Sequence, residues 1–113
     1  MANNLATRFA AETLRSVGYS FITADYIAIG TPFDNPARQI YLVNTTDEIL
    51  LFSLDGVNDH WIIPSGSFLL LDITTNKTDV GGSLMLPQGQ RIFVRGPNPT
   101  SGGVYLSVFY GSN

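Results

Sequence analysis

The chain has 113 residues, a formal net charge of -3 and no cysteine; 44% of its residues are hydrophobic and only 13% charged. That length holds one compact domain. The lack of a basic excess excludes nucleic-acid binding through phosphate neutralisation, and the lack of cysteine excludes disulfides, thiolate nucleophiles and thiolate metal sites. A charged share about half that of an ordinary soluble domain predicts a surface that a partner covers.

Residues 1–16 carry Arg8, Glu12 and Arg15 among alanines, without the uninterrupted apolar core of a signal peptide. No secretory route is expected. Asn3 and Asn4 are helix-capping residues, and Leu5 with Phe9 and Ala6 with Ala10 share one helical face. The spacing predicts either a short helix over about residues 5–15 or an arm that orders on a neighbour. From residue 17 to the end, one β domain is expected.

Val17, Tyr19 and Phe21 alternate, and residues 26–29 are rich in β-formers before the turn-rich Gly30-Thr31-Pro32-Phe33-Asp34-Asn35-Pro36. Residues 39–43 and 49–54 read as strands, with Asn44-Thr45-Thr46-Asp47-Glu48 as the short polar loop of a hairpin. Further strands are predicted at 61–63, 68–73, 83–86, 91–95 and 104–110. Two corners have one form, Ile63-Pro64-Ser65-Gly66-Ser67 and Leu86-Pro87-Gln88-Gly89-Gln90, in which the Pro and Gly favour sharp turns. They read as equivalent corners of a sandwich.

About eight strands with Gly/Pro-rich corners predict a single all-β antiparallel sandwich, jelly-roll-like or immunoglobulin-like. In the last strand Val104, Leu106 and Val108 face one way. If these enter the core, Tyr105 and Phe109 form an aromatic stripe outside. The apolar run at residues 68–71 is far shorter than the roughly 18 residues of a membrane-spanning helix, so no membrane span is expected.

Chemistry has few places to reside. His60 is the sole histidine, so a hydrolase relay would be built around it, and no serine lies in a nucleophile elbow. Asp55, Asn58 and Asp59 offer oxygen ligands in one loop, as calcium sites do, but the later acidic ligand of an EF-hand pattern is missing and all three are ordinary turn formers. Asn44-Thr45-Thr46 and Asn76-Lys77-Thr78 match a glycosylation triplet and read as turn chemistry. No catalytic residue, cofactor or metal is assigned.

The series Thr13-Leu14-Arg15-Ser16, Gly30-Thr31-Pro32, Asn35-Pro36-Ala37-Arg38, Asn44-Thr45-Thr46-Asp47, Phe52-Ser53-Leu54-Asp55-Gly56, Asp59-His60, Pro64-Ser65-Gly66, Asp72 and Val104-Tyr105-Leu106-Ser107-Val108-Phe109-Tyr110-Gly111 resembles small virion-associated proteins of tailed bacteriophages. The likeness runs from about residue 13 to 111. It implies a non-enzymatic structural subunit of the capsid, neck or tail, a decoration or connector protein in symmetric copies. It would bind other virion proteins, residing in the host cytoplasm before assembly. His60, Trp61, Tyr105, Phe109, Arg8, Arg15 and Arg38 form the expected contact surface. The alternative is a glycan-binding module in which Trp61, beside His60 and Asp59, stacks on a sugar.

Overall fold

The computed structural model describes residues 8–72 and 86–112. Nine strands are seen in this part: β1 (Arg8–Ala11), β2 (Arg15–Gly18), β3 (Ile27–Ala28), β4 (Gln39–Asn44), β5 (Leu50–Ser53), β6 (Trp61–Ile63), β7 (Phe68–Asp72), β8 (Phe93–Arg95) and β9 (Gly103–Ser112). They form two antiparallel sheets. In the first, β9 takes β1 and β2 along one side and β4 along the other, with β7 beyond β4; the second runs β3-β8-β5-β6. The predicted strand at 83–86 falls mostly outside the described residues, with Leu86 alone bridging Ala37.

The pairing is nested. β1 and β2 pair with the last strand, β3 with β8, β4 with β7, and β5 with β6. A long hairpin rolled over on itself gives this order, and the rolling adds the contacts of β9 with β4 and of β8 with β5. That is the jelly-roll arrangement of a β-sandwich, which settles the choice between the two predicted sandwich types. Its hairpin tip is the loop 54–60.

Period-two alternation builds the core between the sheets. Val17, Ile40, Leu42, Val104, Leu106 and Val108 point inward from the first sheet; Leu50, Phe52, Ile63 and Val94 point inward from the second. Connecting segments add Ile22, Ile29, Phe33, Ala37 and Ile92. The last strand therefore orients as its pattern predicts.

Two sequence expectations are corrected. Residues 39–44 and 50–53 are not a hairpin, because β4 and β5 lie in different sheets and the polar segment between them is a crossover. The reason is Asn44, fully buried at the end of β4. Its amide nitrogen donates to the Glu48 and Ile63 carbonyls, both at 2.9 Å, and its side-chain oxygen accepts from the Thr46 N–H and hydroxyl. These bonds curl the chain out of the first sheet and tie it to the end of β6 in the second. The other correction is the helix over residues 5–15, whose described portion is extended. The β9 edge supplies backbone partners along both β1 and β2, which a three-turn helix with no packed face lacks.

The Pro-x-Gly corners are one β-turn used twice. Ser67 and Gln90 donate to the Pro64 and Pro87 carbonyls at 3.1 Å, and Gly66 and Gly89 take φ of +74° and +88°. Proline thus stands at the first position of each turn, one residue earlier than its usual place, and glycine supplies the positive φ of a type II turn. At the first corner the chain passes from β6 to β7, and so from one sheet to the other.

Replacing Asn44 with Ala leaves two carbonyls and two donors of the Thr46 turn without their buried partner. At ~1–3 kcal/mol for an unsatisfied buried group, the expected loss is about 3 kcal/mol. Thermal unfolding followed by circular dichroism should show a Tm fall of roughly 10–15 °C, with little change for exposed Asn58→Ala.

Candidate interaction surface

Ala11 and Arg15 oppose Phe109 and Leu106 of β9, so three residues, 12–14, face two, Ser107 and Val108. The extra residue is a β-bulge. In a regular strand, residues three apart point to opposite faces. The bulge puts Glu12 and Arg15 on one side, where their side chains meet at 2.7 Å and are almost wholly buried. Arg15 also donates to the Thr31 and Pro32 carbonyls, both at 2.8 Å, and its guanidinium lies 5.5 Å from the centre of the Phe33 ring. Glu12 accepts further bonds from the Asp34 N–H and the Asn35 amide. Arg15 is therefore an internal fastener of the 31–35 segment, and the expected contact role for this residue is corrected: its donors are used inside the subunit.

Desolvation works against the Glu12 charge, but the bonds from Asn35, the Asp34 backbone and Arg15 outweigh it and hold its carboxyl below the ordinary 4.5. The tip loop is self-bonded. Asp55 accepts from the backbone N–H groups of Asn58 and Val57, from the Asn58 amide and from the Ser53 hydroxyl, which hold it far below the usual carboxylate range. Asp59 accepts from Nε and Nη2 of Arg95, at 3.0 and 2.8 Å, and from the Tyr26 hydroxyl. Arg95 first and Tyr26 second lower its pKa, while Arg95 also lies 5.3 Å from the centre of the Tyr26 ring.

These bonds engage the two carboxylates considered for calcium, Asp55 and Asp59. Asp55 serves its own loop, and Asp59 faces a guanidinium. Among the described residues no group of three or more His, Asp or Glu side chains is placed to hold a metal. His60 accepts the Leu54 N–H at 2.9 Å through Nδ1, so its neutral form carries the proton on Nε2, which lies 4.0 Å from Asp55. Trp61 stacks on Phe52, with ring centroids 5.8 Å apart and planes inclined by 11°. Its indole nitrogen is buried without a hydrogen-bond partner.

The seven residues chosen from the sequence do not gather in one place. His60 and Trp61 belong to the β5–β6 tip of the second sheet, whereas Tyr105 and Phe109 stand on the outer side of β9 in the first. Arg38 is half-buried and its backbone N–H donates to the Phe109 carbonyl at 2.8 Å. Arg8 opposes Ser112; its side chain lies outside the described part, as do residues 1–7 of the expected arm.

Around Tyr105, the first sheet has an apolar outer face. Tyr41 and Val43 of β4 point outward between it and Phe68 and Leu70 of β7. Phe68 is 60% exposed, Leu70 54%, Tyr105 41% and Tyr41 36%, and the Tyr41 and Phe68 rings lie 5.3 Å apart. Of the outward positions on β2, β9, β4 and β7, only Asp72 at one end carries a charge. The sequence reading missed Tyr41, Phe68 and Leu70. The alternation in Gln39–Asn44 marks Tyr41, but the unbroken run Phe-Leu-Leu-Leu suggests a strand buried on both sides.

No family model matches the chain, and no curated protein sequence is similar to it. Among solved structures, one chain reported under the description "Bacillus endospore appendages form a novel family of disulfide-linked pili" is similar, with a TM-score of 0.45 and 13% identity over 100% of this chain and 96% of that one.

The depressed Glu12 pKa makes folding pH-dependent with a definite sign. Its contribution is complete above the unfolded value of 4.5 and is lost as pH falls through the lower folded value. Denaturant unfolding should give a steady stability above about pH 5 and a decline below it, less steep in Glu12→Gln. Glu12→Ala, which leaves Arg15 buried without its counter-ion, should cost about 3 kcal/mol at neutral pH.

Proposed function

We propose that this chain is a non-enzymatic structural subunit of a tailed-phage virion, a decoration or connector protein carried in many copies on the capsid, neck or tail. The observation that carries the reading is the outer face of the first sheet, where Tyr41, Phe68, Leu70 and Tyr105 expose apolar surface with almost no charge. The largest apolar patch on a protein of this kind is often its functional contact surface. The resemblance of residues 13–111 to virion-associated proteins supplies the setting. Jelly rolls also serve as capsid and lectin domains, an analogy at the level of fold alone.

The glycan-binding alternative rested on Trp61 as a stacking platform. That ring is engaged with Phe52, so the observation favouring this alternative is weakened. The polar groups of the tip loop are likewise bonded to one another, which supports a structural reading over a hydrolytic one.

Mass spectrometry and immunogold labelling of purified tailed-phage particles made from the genome that encodes the chain should find it on the particle. Purified protein added to particles lacking it should sediment with them, and Tyr105→Lys should weaken that association. A chain absent from the particles and remaining in the supernatant overturns the proposal. A glycan-array signal abolished by Trp61→Ala would favour the alternative.

A further inference from the structure

The geometry points to a second copy of this chain as the occupant of the β7 edge, docked antiparallel about a two-fold axis through Leu69 so that the two first sheets run on as one. This goes beyond the virion reading and is open to test in solution without any particle.

The free edge follows from the pairing. Asn44 and Ser67 stand opposite each other, and the Asn44 N–H donates to the Ser67 carbonyl. Antiparallel pairs alternate between bonded and unbonded, so Leu69 and Leu71 turn their backbone groups toward β4. Phe68 and Leu70 turn theirs the other way. Among the described residues no strand pairs with β7 on that side. Edge strands are ordinarily blunted by a charge, a proline, a bulge or extreme shortness; β7 has one charge, Asp72 at its end, and the stretch Phe68-Leu69-Leu70-Leu71 has no charge, proline or bulge.

The edge selects a second copy because it matches itself. With the axis at Leu69, Phe68 of each copy faces Leu70 of the other, and each facing pair exchanges two backbone hydrogen bonds. The same register sets Phe68 beside Leu70 across the seam on the outer face. The remaining edges offer poor templates for a head-to-tail mode: β3 has two residues, β6 three, and β1 and β2 are interrupted by the bulge. An isologous contact also closes at two subunits.

Area sets the strength. Exposure of Tyr41, Phe68, Leu70 and Leu71 leaves roughly 300 Å² of apolar side chain per copy, taking ~200 Å² for a whole aromatic and ~100 Å² for a leucine. Two copies with their strand backbones remain below the ~1,200 Å² of small interfaces. The dimer is therefore weak alone, in the micromolar range or above, and gains from arraying on a larger assembly.

Sedimentation velocity over a concentration series should show reversible passage from monomer to dimer. Leu70→Lys, at an exposed site, should raise the dissociation constant at least tenfold with Tm unchanged, while Leu14→Lys, exposed outside this edge, should leave it as in the wild type. Because the chain has no cysteine, Leu69→Cys tests the register: facing unbonded residues have Cα atoms about 4.5 Å apart, within disulfide reach. Mild oxidation should yield covalent dimer from Leu69→Cys and not from Tyr105→Cys. A wild type that stays monomeric at about 1 mM, a Leu70→Lys dimer of undiminished affinity, or equal cross-linking at both cysteines overturns the proposal.

Discussion

The amide of Asn44 is the constraint on which the two-sheet arrangement turns. One side chain, inside the protein, meets both carbonyls and both donors offered to it, which exhausts its hydrogen-bonding capacity. Its backbone is engaged too: the N–H donates to Ser67 and the carbonyl accepts from Gly66. Asn44 thus holds the crossover from β4 to β5 and the corner from β6 to β7 together at one end of the sandwich. An apolar residue of similar size would fill the space, but the Ile63 carbonyl would lose its buried donor and the Glu48 carbonyl would keep only the Thr46 hydroxyl, at 3.1 Å.

A second buried polar node acts near the opposite side of the β9 edge, and its energetics differ. Placing Glu12 and Arg15 out of water costs more than their mutual attraction readily returns. The pair is tolerable because nearly every remaining donor and acceptor is used, on the Thr31 and Pro32 carbonyls, the Asp34 N–H and the Asn35 amide. Its effect is to fix position. The long irregular segment between β3 and β4 carries Phe33 into the core, and Arg15 holds it there from both the polar and the aromatic side.

Strand positions were legible in the sequence because apolar runs and Pro-x-Gly corners are local signals. Residues 39–43, 61–63 and the inward set Val104, Leu106 and Val108 follow directly from them. Pairing partners were not legible. A five-residue polar segment reads as a hairpin loop unless one knows that Asn44 is buried and bonded to a strand nineteen residues on. The N-terminal segment misled for a related reason. Alanine, leucine and phenylalanine at four-residue spacing suit a helix in isolation, but the open edge of β9 offers a ladder of backbone partners that outweighs so short a helix. Arg15 looked like surface charge because its burial depends on a one-residue bulge, and a bulge has no composition of its own. Tyr105 and Phe109 were found from alternation, whereas Phe68 and Leu70 were hidden in a run that resembles interior strand.

The two outer faces of the sandwich are finished differently, and the difference bears on assembly. Over the second sheet the hairpin tip folds back, with Asp59 gripping Arg95, and Gly56 so near the Phe93 ring that an added Cβ would approach it to 3.3 Å. Polar groups there are consumed in holding the subunit's own loop. Nothing comparable is seen among the described residues over Tyr41, Phe68, Leu70 and Tyr105. A chain with so few charges has little means of keeping such a face apart from others of its kind, since like-charge repulsion and edge lysines are the usual devices. The low charge noted in the composition therefore has most effect here: a face whose one charge is Asp72 at its end, beside an edge strand that is apolar from Phe68 to Leu71, while Glu12, Arg15, Asp55, Asp59 and Arg95 are held in bonds within the subunit.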